Sequence, residues 1–382
     1  METEKNVRPG RTDEEAGTGA ARTKNARPES GQRARDARVR AAALRRKRIL
    51  RRRIGYTLVL VGVLILIALG TGMALYMKRG GTFENFIQPY TSSIEFTGSA
   101  AEKENLRSEP FAASLCVFDT NIFREGIELP SWQEGLLLNV NAHDTLYAKD
   151  AFTRVYPASI TKLVTALIAL EYGDMNDSVT ITYEDVDLEE GAQVCGFIPG
   201  DVLSMDQLLH CLLVYSGNDA AMAIARHVGG TMDGFIALMN QYARSLGCTG
   251  THFVNPHGLQ DPEHYTTPYD IYLILKEAAK YPSFTEISQM GSYTVEYNRA
   301  DGTAMRTILE ATDHYLTGEA TLPRNVSVLG GKTGTTNEAG NCLALLTQNA
   351  YGQPFVSIVM GAETKELLYE QMNMLLQNIN ET

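Results

Sequence analysis

The sequence predicts an α+β fold, with an antiparallel sheet and a helical subdomain, behind an N-terminal transmembrane helix. Strand-like segments occur near the beginning and the end of the region after residue 110, and helical segments fill the interval between them. Strands drawn from both ends of a region, with the helices grouped between them, are typical of α+β proteins. A run of uncharged residues at 54–77 precedes this region and supplies the predicted transmembrane helix.

Residues 54–77 carry no charged side chain and are predicted to form an uncleaved signal-anchor helix. At about 1.5 Å per residue, a helix of this length spans the roughly 30 Å of a bilayer core. Seven Lys and Arg residues crowd into positions 45–53, so the positive-inside rule places the N-terminus in the cytoplasm and residues 80–382 outside the cell membrane. A cleaved signal peptide is the alternative, but the apolar run is long for one and no clear A-x-A site follows it.

The two sides of the predicted span differ in charge. Residues 1–53 hold 17 Lys and Arg against seven Asp and Glu, whereas residues 80–382 hold 15 against 38. Because residues 1–53 contain few large apolar side chains, we expect a disordered cytoplasmic tail whose basic cluster contacts anionic lipid rather than nucleic acid. Residues 78–110 become rich in Ser, Thr and Glu, as expected of an extracytoplasmic stalk. Residues 111–382 then form the folded domain.

The folded domain contains five cysteines at widely separated positions, and this odd number does not indicate a disulfide framework. Their apolar sequence neighbours predict small core side chains. The residues are Cys116, Cys195, Cys211, Cys248 and Cys342. No Cys and His pair has the spacing of a structural zinc site, so no metal is predicted.

The first two strands are predicted at Ser114–Asp119 and Thr145–Lys149, where short apolar segments end in polar residues. Trp132 and three consecutive leucines lie in the long interval between them. Because hairpin loops are normally only about two to five residues long, this interval is interpreted as a surface insertion that lengthens the first hairpin.

The middle of the folded domain is predicted to be helical and its end to return to strands. Helices are predicted from Pro157 to Gly173, after Ser204, from the turn at 215–218 to Gly229, over Met232–Leu246, and from Thr267 to before Pro282. Strands are predicted at Asn325–Lys332, Cys342–Thr347 and Phe355–Met360, followed by an amphipathic helix at Thr364–Ile379.

A serine and a lysine lie at the start of the first predicted helix. Ser159 and Lys162 are three residues apart, so their side chains share one face. An apolar environment disfavours a charged amine and lowers the pKa of the lysine, and the neutral amine can then take the proton of a neighbouring hydroxyl. The alternative is a capping serine beside an exposed lysine, because Ser-x-x-Lys also arises by chance.

Two further short motifs follow downstream. Ser-Gly-Asn at 216–218 falls in the predicted turn between helices, from which a hydroxyl and an amide can project into a cleft. Helix capping is the alternative role for these residues. Lys-Thr-Gly at 332–334 ends a predicted strand whose glycines let another backbone approach closely. A second ammonium near Lys162 would lower the pKa of that lysine further.

Together these motifs resemble those of the D-alanyl-D-alanine carboxypeptidases, serine peptidases of the low-molecular-mass penicillin-binding class. The resemblance covers residues 112–382 and rests on PASITKLVTALIAL, LLVYSGNDAAMAIARHVGG, HFVNPHGLQDPEHYTT and GGKTGTTNEAGNCLALL. It implies a β-lactamase/DD-peptidase-like catalytic domain at 111–382 with no metal and no organic cofactor. The implied substrates are peptidoglycan stem peptides ending in D-Ala-D-Ala, with β-lactam antibiotics as covalent inhibitors.

The resemblance also implies a role for each motif residue. Ser159 is the implied nucleophile, Lys162 its base, and Ser216 the relay that protonates the leaving D-alanine. The implied substrate-binding residues are Asn218, Lys332, Thr333, Gly334 and Thr335. Within this set, the backbone N–H groups of Ser159 and Thr335 form the oxyanion hole. By composition alone, two histidines of the third stretch, His257 and His264, are interpreted as surface or structural residues.

The sequence departs from the family in one respect and leaves two alternative functions. Many relatives carry an arginine near the last strand, but none follows Arg324, and GAETKELLYEQM occupies that region. A β-lactamase-like hydrolase would need a deacylating glutamate, and no Glu-x-x-x-Asn stretch occurs at the matching place. A non-catalytic sensor of penicillin or wall peptide would need a signalling domain, for which residues 1–53 are too polar.

Overall fold

The computed structural model describes residues 114–380, and a five-stranded antiparallel sheet organises them. Its strand order is β2-β1-β9-β8-β7, while β3-β4-β5-β6 form a smaller four-stranded sheet. The strands are β1 (Glu134–Asn139), β2 (Asp144–Lys149), β3 (Ser178–Thr180), β4 (Val202–Ser204), β5 (Ser292–Asn298), β6 (Ala304–Glu310), β7 (Ser327–Thr336), β8 (Gly340–Gln348) and β9 (Pro354–Ala362). β1 pairs along its whole length with β9, so the sheet joins segments distant in sequence. The predicted α+β class is confirmed.

The predicted strand at Ser114–Asp119 is wrong, and the predicted insertion contains the real first strand. The three consecutive leucines of β1, 136–138, are fully buried, and β1 pairs with both β2 and β9. A strand that is covered on both faces shows a continuous apolar run rather than alternation. Only residues 140–143 separate β1 from β2, so the first hairpin is short rather than lengthened.

The helices lie mainly where the sequence predicts them. They are α1 (Lys162–Tyr172), α2 (Tyr183–Val186), α3 (Met205–His210), α4 (Asn218–Gly229), α5 (Met232–Ser245), α6 (Pro268–Ala278), α7 (Pro282–Ser288), α8 (His314–Thr317) and α9 (Lys365–Gln377). A 3-10 turn at Ala158–Thr161 leads into α1, and a π-helical turn at Cys211–Tyr215 follows α3. The hairpin of β5 and β6 and the short strands β3 and β4 were not predicted.

The core lies on the two faces of the five-stranded sheet. On one face, residues 162–169 of α1 are all buried and pack with other helices against alternate residues of β1, β8 and β9. On the other face, α9 contributes apolar side chains, among them Leu368, Met372 and Leu375. The five cysteines are free thiols, and all except the partly exposed Cys195 are buried, as expected of small core residues.

The predicted membrane-associated segments lie outside the described residues. These are the tail at 1–53, the transmembrane helix at 54–77 and the stalk at 78–110. Within residues 114–380, no helix combines the length and the apolarity that a membrane span requires.

The placement of β1 in the core can be tested by truncating Leu137, which has no exposed surface. Leu137→Ala leaves a cavity beneath α9 and is expected to lower the free energy of unfolding by about 3 kcal/mol, measured by urea denaturation. The matched control is Leu367→Ala, at a leucine that is 36% exposed, with an expected change below about 0.5 kcal/mol. Equal losses in the two variants would contradict the assignment of β1 to the core.

Candidate active site

Ser159 and Lys162 lie at the junction between the 3-10 turn and α1, as the sequence predicts. Lys162 Nζ is 2.8 Å from Ser159 Oγ. The same nitrogen donates hydrogen bonds to Asn218 Oδ1 at 2.6 Å and to the backbone oxygen of His257 at 2.8 Å. A neutral amine has two N–H donors and one lone pair. With both donors engaged by these acceptors, the lone pair is directed to the hydroxyl of Ser159.

The environment of Lys162 favours this neutral form. The side chain is completely buried, and burial lowers its pKa well below the ordinary value, with the charge of Lys332 lowering it further. The buried Asp219 acts in the opposite direction.

Ser216 and Asn218 approach the Ser159–Lys162 pair from the turn between the π-helical segment and α4. Ser216 has a φ of 68°, in the left-handed region that residues other than glycine seldom occupy. Asn218 begins α4 and donates its backbone N–H to the carbonyl of Gln193 at 2.8 Å. The next residue, Asp219, accepts hydrogen bonds from the backbone N–H groups of Cys195 and Gly196. These bonds attach the 193–196 segment to the turn.

The third motif lies on β7, which runs past the turn that carries Ser159. A Cβ on Gly334 would lie 2.9 Å from Pro157 O and 3.0 Å from Ser159 N, so only glycine allows this close approach. Thr333 Oγ1 is 2.5 Å from Thr312 Oγ1, and the Thr335 hydroxyl donates to Asn341 Oδ1.

Lys332, by contrast, is only 2% exposed. Its Nζ donates to the backbone oxygen of Thr333, and it lines a smaller cavity together with Asp313. Burial lowers the pKa of Lys332 to about 7, against the opposing effect of Asp313. At neutral pH Lys332 is therefore partly protonated.

These elements line one open cleft with a volume of about 210 Å³. Its lining includes Ser159, Ser216, Thr333, Thr335, Lys365 and Tyr369. Lys162 and Asn218 lie behind Ser159 and make the contacts described above. The structure thus brings all eight predicted site residues into one region, although Lys332 lines the smaller cavity and not this cleft. Within residues 114–380, no cluster of His, Cys, Asp and Glu could hold a metal ion.

The segment after α5 packs against the turn that carries Ser159. The composition of the sequence did not predict this contact. Ala158 has a φ of 47°, a left-handed conformation, and its carbonyl accepts a hydrogen bond from Thr161 Oγ1. His264 Nε2 lies 2.8 Å from the same Thr161 hydroxyl, while His264 Nδ1 accepts the backbone N–H of Val254. Because Thr161 donates to Ala158 and Nδ1 is an acceptor, the imidazole is neutral with its proton on Nε2.

His257 and His264 are buried, contrary to a surface interpretation. Burial lowers the pKa of His257 to about 3 and that of His264 to about 4, so both are neutral at physiological pH. Gly258, with a φ of 87°, passes so close to Ala158 that a Cβ would collide with its carbonyl oxygen. Only the resemblance of HFVNPHGLQDPEHYTT to a family stretch marked this region in the sequence.

Comparison with known proteins identifies the family to which this chain belongs. Residues 131–364 match the model of the D-alanyl-D-alanine carboxypeptidase family. The chain belongs to this family. The region matched contains all three motifs and the histidine segment that supports Ser159.

The chain is also similar in sequence to individual D-alanyl-D-alanine carboxypeptidases. The chain is 31% identical over 250 residues to the D-alanyl-D-alanine carboxypeptidase DacF of Bacillus subtilis, covering 64% of this chain and 61% of that protein. It is 28% identical over 277 residues to DacC of Escherichia coli, covering 70% of this chain and 64% of that one. The chain therefore spans less than two thirds of the length of these curated relatives.

Solved structures of related proteins share the fold of the catalytic domain. A Streptomyces DD-transpeptidase superimposes with a TM-score of 0.59 at 27% identity, covering 64% of this chain and 94% of that one. A D-alanyl-D-alanine carboxypeptidase of Mycobacterium tuberculosis gives 0.57 at 29% identity, covering 66% and 91%. The antiparallel sheet with its helices thus has the DD-peptidase fold that the sequence predicted.

The field of Lys332 on Lys162 can be tested with Lys332→Met, which removes the charge but keeps a long side chain. Because a positive neighbour lowers the pKa of Lys162, its removal raises that pKa, and Lys162 then becomes a neutral base only at higher pH. The acidic limb of the pH profile for covalent labelling by a fluorescent penicillin is expected to move up by about one pH unit.

The matched control is Lys280→Met, at an exposed lysine whose ammonium lies 2.6 Å from Glu277. This substitution removes the same charge outside the site, and the pH profile should stay in place. A profile that is unchanged in Lys332→Met, or that moves to lower pH, would contradict the proposed coupling between the two lysines.

Proposed function

We propose that this protein is a membrane-anchored serine D-Ala-D-Ala carboxypeptidase that removes the terminal D-alanine from peptidoglycan stem peptides. The observation that carries the proposal is the position of Lys162 Nζ, 2.8 Å from Ser159 Oγ with both of its N–H groups donated elsewhere. Family membership supports the same reaction. The proposed catalytic residues are Ser159, Lys162 and Ser216.

In the acylation step, Ser159 Oγ attacks the carbonyl carbon of the penultimate D-alanine while Lys162 Nζ takes the hydroxyl proton. Negative charge develops on the substrate carbonyl oxygen. The backbone N–H groups of Ser159 and Thr335 are proposed to stabilise that charge, because β7 lies against the Ser159 turn. Collapse of the tetrahedral intermediate breaks the peptide bond and leaves an ester on Ser159.

The leaving D-alanine nitrogen needs a proton, and the proton held by Lys162 is the source. Ser216 lines the same cleft and is proposed to relay this proton. Water then attacks the ester, Lys162 acts as base a second time, and Ser159 regains its proton as the product acid leaves. Asn218 holds the Lys162 amine in position through its side-chain oxygen.

The proposed covalent step is tested by mass spectrometry of the purified 80–382 fragment. Penicillin is expected to add its full mass to one peptide, the peptide that contains Ser159, and a diacyl-D-Ala-D-Ala peptide is expected to release D-alanine. Ser159→Ala should abolish both results, and Lys162→Ala should lower turnover by at least about a thousand-fold. Alkylation of Cys195, the only partly exposed thiol among the described cysteines, should leave labelling intact.

The alternative functions predict other results in the same experiment. A β-lactamase would hydrolyse the penicillin adduct rapidly, whereas no Asp or Glu lines the described cleft to activate a deacylating water for that purpose. A pure binding protein would be labelled by penicillin but would not release D-alanine. A folded protein that acquires no adduct would contradict the proposed function.

The proposed membrane anchor rests on the uncharged run at 54–77 and on the basic cluster at 45–53. In cells that express the full chain with an N-terminal epitope, external protease is expected to degrade the folded domain while the epitope stays protected until the membrane is permeabilised. Release of the intact domain into the medium would instead indicate a cleaved signal peptide.

A further inference from the structure

Three lysines surround the cleft, and their accessibility differs. Lys162 is fully buried with its amine engaged by three partners, and Lys332 is buried at the smaller cavity that Asp313 also lines. Neither is among the residues that line the cleft. Lys365 is exposed and lines the cleft itself. Among the described lining residues, it is the one cationic side chain.

Lys365 is the first residue of α9, immediately after the capping residue Thr364. Its side chain forms no hydrogen bond or ion pair with any other described residue. The N-terminal end of α9 adds partial positive charge at the same place. The flanking Glu363 and Glu366 do not line the cleft. Lys365 therefore places a cation at the cleft, on the side formed by α9.

The substrate of the proposed reaction ends in a carboxylate, which a peptide-binding cleft must desolvate. Thr333 and Thr335 supply hydroxyl groups on β7, but Thr333 is already in contact with Thr312 and Thr335 donates to Asn341. Neutral hydroxyls form weaker hydrogen bonds to a carboxylate than a charged donor does. Among the described residues that line the cleft, Lys365 is the cation available to pair with an anionic end group.

We propose that Lys365 binds the terminal carboxylate of the substrate and gives the cleft its preference for peptides with a free C-terminus. This inference rests on the proposed function and extends it to a residue outside the three sequence motifs. The ammonium of Lys365 would act by ground-state binding of the free acid.

The test compares two substrates that differ only in charge, a diacyl-D-Ala-D-Ala peptide with a free C-terminus and the same peptide with a C-terminal amide. In Lys365→Gln, kcat/KM for the free acid is expected to fall about ten-fold because KM rises while kcat stays unchanged. For the amide, kcat/KM is expected to change less than about two-fold. Lys365→Arg should restore most of the preference for the acid, because it restores the charge. Lys280→Gln serves as the matched control and should leave kcat/KM unchanged for both substrates.

The outcomes separate this inference from the proposed function. If the wild-type chain cleaves both peptides and Lys365→Gln leaves their ratio of kcat/KM unchanged, the role of Lys365 is overturned and the carboxypeptidase function stands. If Lys365→Gln lowers kcat/KM equally for both substrates, the residue does not recognise the carboxylate, and the inference is also overturned. If the wild-type chain cleaves neither peptide, the proposed function fails and the inference fails with it. Circular dichroism and a thermal melt confirm that each variant is folded.

Discussion

The structure depends on one buried amine. Lys162 is surrounded by protein, and an ammonium in that position would lose most of its hydration. The site accommodates the side chain by favouring its neutral form and by offering two acceptors, Asn218 Oδ1 and the carbonyl of His257. These acceptors come from α4 and from the segment after α5, so the base is oriented only when three distant segments have packed together. Burial therefore favours a neutral amine, and the two acceptors leave its lone pair directed at Ser159.

The same region holds two residues in left-handed conformations, Ala158 and Ser216, one on each side of the reacting groups. Such conformations cost of order one kcal/mol or more for residues other than glycine and persist only where neighbouring structure enforces them. At Ala158 the enforcement comes from a chain of hydrogen bonds that runs through Thr161 to the neutral imidazole of His264. The glycines at 258 and 334 let two further backbone segments close around this turn.

Charge is distributed in layers around the cleft. Lys162 is completely buried in surroundings that favour its neutral form, Lys332 lines a small cavity together with Asp313, and Lys365 is exposed at the start of α9. Burial explains the difference between them, since an ammonium retains its charge most easily where water remains. A site that needs both a neutral amine and a fixed cation can obtain them by placing lysines at different depths.

The sequence by itself determined the class of fold and the proximity of Ser159 to Lys162, because local rules were sufficient for both. Ser159 and Lys162 are one helical turn apart, and the ends of most helices carry capping residues and glycines, so their proximity and boundaries follow from short-range geometry. The eight motif residues do converge, although convergence was inferred from a family resemblance and not from spacing. The predicted segments before residue 111 stay predictions.

The tertiary structure alone decided which strand begins the sheet, how the second motif faces the first, and what supports the serine. Three consecutive leucines fit either a surface insertion or a doubly covered strand, and only the pairing of β1 with β9, more than two hundred residues away, distinguishes these alternatives. The burial of His257, His264 and Lys332 likewise depends on contacts between segments far apart in the chain. Local sequence does not encode such contacts, because the free energy that selects them comes from packing the whole domain.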